Sequence, residues 1–200
     1  MQATKDLPAT FQLSKTLNLS SSVVSLRLNM AAVPLLLVFG WLFARLIILL
    51  RSINPFPKGV LSFFTTVSGW ELLAFPLSII LMFVVHELVH GLFFWLFTRE
   101  RPRFALKAGY AFAAAPEWYL PGSQYIIVGL SPFVLITLVT VLLAVFVMPP
   151  LVPYLLFIST FNAAGALGDL IVVGWVLRQP NTVLVKDEGD IFTSFAPMIE

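Results

Sequence analysis

Cysteine is absent from the 200-residue chain, and histidine occurs only twice. Without thiols there are no disulfides and no thiolate zinc sites, so any metal must rest on imidazole and carboxylate ligands. Charge is also scarce: 11% of the residues are Asp, Glu, Lys or Arg, against 59% that are hydrophobic. A soluble domain of this size has too little interior to hide so much apolar surface, so the composition places the chain in a membrane. The net charge of +2 gives no support to nucleic-acid binding. The opening stretch from Met1 to Asn29 is polar and does not read as a signal peptide.

What the chain does have is apolar runs. Four of them, Met30–Leu50, Trp70–Phe97, Tyr125–Met148 and Leu151–Leu177, reach the roughly 20 residues that a bilayer core of about 30 Å requires. Arg45 interrupts the first and reads as a snorkelling anchor. Pro76 is expected to kink the second, and Pro149-Pro150 to turn the last two into a tight helical hairpin. The expected fold is an all-α membrane protein: a bundle of four transmembrane helices with a short hairpin or re-entrant segment between helices 2 and 3. Its divisions are a cytoplasmic segment 1–29, a four-helix transmembrane domain 30–178 with its core at 70–178, and a cytoplasmic tail 179–200. Basic residues set the orientation. Lys5, Lys15, Arg27, Arg99, Arg101, Arg103, Lys107, Arg178 and Lys186 fall on one side if all four helices cross, and the other side keeps Arg51 and Lys58. Both termini are therefore expected in the cytoplasm, with the chain passing several times through the cell membrane.

Both histidines lie in the second run, in His86-Glu87-Leu88-Val89-His90. On a helix, positions i and i+4 share a face, so both imidazoles reach one metal ion. That is the H-E-x-x-H zinc signature, in which the glutamate, here Glu87, is the general base. Ionisable groups in a bilayer are costly, and their default reading is functional. A catalytic Zn²⁺ takes three protein ligands, and besides Glu87 the only acid deep in a span is Asp169. His90 lies eight residues before Thr98, and Asp169 nine before Arg178. Both are thus roughly 12–14 Å below the same membrane face, and Asp169 is the expected third ligand. Asn162, seven residues earlier, projects from nearly the same face. It has two readings: it holds the substrate or an oxyanion, or it makes an interhelical hydrogen bond. Gly165 and Gly168 read as close-packing residues. The segment from Arg99 to Gly122 is too apolar for a solvated loop, while Gly109, Pro116 and Pro121 break any helix. A hairpin or re-entrant segment over the site would offer an edge strand to an extended substrate. The competing reading makes Tyr110, Trp118 and Tyr119 an interfacial aromatic belt. The acidic Asp187-Glu188-Gly189-Asp190 reads as a solvated turn.

On these residues the chain resembles intramembrane zinc metalloproteases of the site-2 protease type, and more closely the small bacterial membrane proteins described as putative zincin peptidases. In site-2 proteases one further span follows the H-E-x-x-H helix, and an Asn…Asp-Gly motif in the next helix supplies the third ligand. Here Asn162 and Asp169 stand in that helix, although Leu170 replaces the glycine and the Asn–Asp spacing is a residue shorter. The resemblance covers roughly residues 70–178. It implies a zinc metalloprotease that acts on a membrane protein or peptide, with His86, His90 and Asp169 as ligands and Glu87 as base. The alternative is a membrane protein that binds metal without hydrolysis, as a sensor, carrier or inactive homologue. The sequence assigns neither an oligomeric state nor a natural substrate.

Overall fold

The computed structural model describes residues 1–51, 69, 71–107, 110–147 and 149–198. Lys58 and Gly109, like the run ends Trp70 and Met148, lie outside them. Five helices occur among the described residues: α1 (Ser22–Arg51), α2 (Glu71–Thr98), α3 (Gly122–Phe146), α4 (Val152–Gly165) and α5 (Leu167–Val176). The first three are long and apolar enough to cross a membrane, and α4 with α5 forms a pair bent by 43° that meets the same test when taken together. The chain is therefore a membrane protein. α1 starts eight residues before the apolar run at Met30, because polar residues continue a helix wherever its backbone bonds are satisfied. α2 runs on through Pro76.

The fourth apolar run is not one straight helix. Gly165 and Gly168 are poor helix formers, and the chain breaks at Ala166, whose N–H still bonds the Asn162 carbonyl. A side chain on Gly165 would meet the Phe83 ring at 3.2 Å, as close packing requires, but one on Gly168 would meet nothing within 4 Å among the described residues. The described residues thus show no packing role for Gly168.

The described residues also form six strands: β1 (Phe11–Asn18), β2 (Arg103–Lys107), β3 (Tyr110–Ala114), β4 (Tyr119–Pro121), β5 (Leu184–Asp187) and β6 (Ile191–Pro197). β2 and β3 pair as the expected hairpin. The others form an antiparallel sheet in the order β1-β6-β5-β4, which corrects the all-α expectation: the chain is mostly helical but carries a sheet, and residues of the 179–200 tail supply two of its strands. The tail's strands are rich in β-branched and aromatic residues, with Leu184 opposite Phe195 and Asp187 opposite Phe192. They are too short to read as spans, yet they are sheet formers once a neighbour is available. The turn between them uses Gly189 at φ 99°, a conformation glycine adopts without steric cost. It is a turn as expected, but not a solvated one, since Asp187 and Asp190 are both buried.

The chain divides into two compact units. One comprises residues 1–29, 87–132 and 167–200. Its core packs Phe94, Leu120, Tyr125, Val128, Val172, Val176, Val185 and Phe192. The other comprises 30–86 and 133–166, with Phe43, Ile47, Val141, Val152, Leu156 and Ala163 at its centre. There Arg51 donates to the carbonyls of Ala144 (2.6 Å) and Val147 (3.0 Å). A cation is favourable at the carboxyl end of α3, where carbonyls lack helical partners.

Candidate metal centre

α2 carries the H-E-x-x-H residues in unbroken helix, so the spacing does what helical geometry requires and sets His86 and His90 one turn apart on one face. Both imidazoles are buried, whereas Glu87 beside them is half-buried. The break at Ala166 gives Asp169 its place. It falls in the first turn of α5, where unsatisfied N–H groups and the helix dipole favour a carboxylate. One ligand atom from each of His86, His90 and Asp169 lies within 4.8 Å of the others.

The arrangement passes a chemical test for zinc. Nε2 of His90 and Oδ1 of Asp169 are 3.4 Å apart, longer than the roughly 2.7–2.9 Å of a charge-assisted hydrogen bond. Ligands about 2.0–2.1 Å from a tetrahedral ion stand about 3.3 Å from one another, which matches. Each histidine is also held by its other nitrogen. His90 Nδ1 lies 2.9 Å from the Val128 carbonyl, which can only accept, so Nδ1 carries a proton and Nε2 is the nitrogen that faces Asp169. His86 Nδ1 lies 2.9 Å from Asn162 Oδ1. Asn162 is oriented in turn, because its amide nitrogen donates to Thr137 Oγ1 at 3.2 Å and faces the Phe133 carbonyl at 3.5 Å. Contacts of this kind fix the tautomer of histidines wherever they bind a metal.

Of the residues singled out in the sequence, His86, His90 and Asp169 are brought together, and Asn162 joins them through His86. Its amide is engaged at both ends and fully buried, which matches the interhelical hydrogen bond. The Val128 carbonyl and Thr137 escape sequence reasoning altogether. A backbone carbonyl leaves no mark in a sequence, and a single threonine in an apolar helix reads as packing.

The hairpin adjoins α2 next to the second histidine. A side chain on Gly91 would meet the Phe104 ring at 2.4 Å, so β2 packs against the helix one residue beyond His90. The other face of the hairpin turns Phe112 onto Gly189, where an added Cβ would lie 2.2 Å from its ring. Around the α2–α3 connection, Lys5 pairs with Glu100 at 2.6 Å and lies over the Trp118 ring. Trp118 donates to Glu100, and Arg103 pairs with Glu117. The hydrogen bond between Lys5 and Glu100 raises the pKa of the ammonium and lowers that of the carboxyl.

A family model described as "Putative zincin peptidase" matches residues 79–184, a stretch that contains His86, Glu87, His90 and Asp169 together with Asn162. No curated protein and no solved structure gives a match.

Proposed function

The chain belongs to the putative zincin peptidase family, and from that premise we propose that it is an integral-membrane zinc metalloprotease of the site-2 protease kind. The observation that carries the reading is the meeting of His86, His90 and Asp169 within 4.8 Å, with Glu87 next to the first of them. His86 and His90 present Nε2 because their Nδ1–H groups are engaged, and Asp169 adds a carboxylate oxygen. Zinc bound by these three residues supplies Lewis-acid activation of water and of the scissile carbonyl. Glu87 takes the proton from the attacking water and passes it to the leaving amine. Asn162 acts as a positioning residue that holds the His86 tautomer. A metal carrier has no use for a base beside its ligand, so Glu87 favours hydrolysis over transport.

The substrate is a membrane protein or peptide whose cleaved segment is extended, since a helical segment keeps its peptide groups paired. The hairpin packed beside His90 offers strand edges for it. Four crossings are supported by the sheet. β4 immediately precedes α3 and β5 follows α5, yet they are hydrogen-bonded neighbours. If α3 crosses, the bent pair α4–α5 must return the chain. By the distribution of basic residues, the sheet and both termini face the cytoplasm.

The test compares purified wild type with Glu87→Gln in detergent or vesicles. Wild type should hold about one zinc per chain and cleave a membrane-embedded substrate. The variant should keep the metal and lose cleavage by at least about 100-fold. Cleavage by Glu87→Gln at the wild-type rate would refute the mechanism, and zinc retention without cleavage by either protein would favour the non-hydrolytic alternative.

A further inference from the structure

The carbonyl of Val128 receives two side-chain donors, His90 Nδ1 at 2.9 Å and Ser131 Oγ at 2.8 Å. In an uninterrupted α-helix that carbonyl accepts the amide N–H four residues further on. Four residues beyond Val128 stands Pro132, inside α3. Proline has no N–H and pushes its ring against the carbonyl at i−4. The one backbone acceptor released by this proline is thus the one that holds the second histidine of the motif.

We propose that Pro132 is a positioning residue for His90: by withholding one amide hydrogen from α3, it leaves the Val128 carbonyl available to fix His90 as the Nδ1–H tautomer, with Nε2 directed at the metal. The inference rests on the zinc reading above but not on hydrolysis. A carbonyl oxygen has two lone pairs, and here both are used, by Ser131 and His90. An amide N–H restored at position 132 makes three donors compete for two acceptor sites. The imidazole is the donor that travels furthest to reach the carbonyl, from another helix, and it loses. His90 then samples the Nε2–H tautomer, which has no lone pair at the ligating nitrogen. The Thr137–Asn162 pair performs the same service for His86, with side chains in place of a freed carbonyl.

The substitution also has an unusual thermodynamic signature. A proline inside a helix is strongly unfavourable relative to alanine, so Pro132→Ala should strengthen the fold while it weakens the metal site. The experiment uses full-length protein in detergent: wild type, Pro132→Ala, and Pro132→Ala combined with Ser131→Ala. Three quantities are measured, namely the ¹⁵N shifts of His90 without metal, the zinc affinity by chelator competition, and the melting temperature without metal. Pro132→Ala should move the His90 shifts towards the Nε2–H form, weaken zinc binding about 10-fold or more, and raise the melting temperature. Removal of the Ser131 hydroxyl vacates one lone pair and should restore most of the affinity. Unchanged His90 shifts, or lost affinity that Ser131→Ala does not recover, would overturn the proposal. If wild type binds no zinc, the premise fails, and the tautomer measurement alone still decides the role of Pro132.

Discussion

At the scale of single residues, the buried pair Tyr125–Asp187 has a measurable consequence. Asp187 is 3% exposed, accepts the Tyr125 hydroxyl at 2.7 Å on one oxygen and the Gly189 N–H at 2.6 Å on the other. Burial raises its pKa to about 6, even though those two hydrogen bonds pull it down. A carboxyl whose pKa is raised on folding binds its proton more tightly in the native state. Stability therefore falls as pH climbs from the unfolded value of 3.8 to about 6, and stays lower above that. Asp187→Asn removes the charge and keeps an amide oxygen for the Gly189 N–H. Its melting temperature should exceed that of wild type at pH 8, with the difference vanishing near pH 4. Melts across that range decide the matter, and an offset independent of pH would contradict it. The candidate site shows the same contrast between local and distant information. His86, Glu87 and His90 are legible in the sequence because one helical turn relates them. The bond from His86 to Asn162 spans 76 positions and depends on which helices meet.

At the scale of elements, two glycines set where the β2–β3 hairpin lies. Gly91 leaves room for Phe104 beside His90, and Gly189 leaves room for Phe112. Gly91→Ala would put a methyl carbon 2.4 Å from the Phe104 ring, and forcing extra volume into such a contact costs about 1–3 kcal/mol. Hydrogen exchange should therefore speed up across Arg103–Lys107 in Gly91→Ala, and Phe104→Ala in the same chain should slow it again. Equal exchange in wild type and Gly91→Ala would show that the ring does not hold the hairpin. The apolar runs foretold α1, α2 and α3 because twenty apolar residues in succession have few other uses. The β2–β3 hairpin was legible, but the strands of the four-stranded sheet were not, since four residues such as Leu184–Asp187 pair only where the fold brings them a partner. The break at Ala166 was hidden for a related reason. Glycines in an apolar run fit both a packed straight helix and a bend, and only the neighbours choose.

At the scale of the whole molecule, the sheet ties together three segments that are far apart in sequence. β1 precedes α1, β4 lies between α2 and α3, and β5 and β6 follow α5. Hydrogen-bonded strands share one side of any bilayer. The lack of cysteine makes this testable without background. Single cysteines at the exposed positions Ser20, Glu117 and Asn181 should react with an impermeant maleimide from the same side, in inverted vesicles and not in intact cells. A cysteine at the exposed Leu151 should show the opposite behaviour. Labelling that separates the first three would break the sheet's topology, and labelling of Leu151 with them would remove a crossing.

The sequence by itself determined the membrane environment, the ligand chemistry and the pair of imidazoles, because composition and one-turn spacing act locally. It also matched the depths of His90 and Asp169, since helical rise is constant. Tertiary structure alone decided that the fourth run breaks at Ala166 and sets Asp169 in the first turn of a new helix, that Asn162 serves His86, and that Pro132 frees a carbonyl for His90. Those relations depend on which lone pair faces which hydrogen across separate helices, and chain order does not encode that directly.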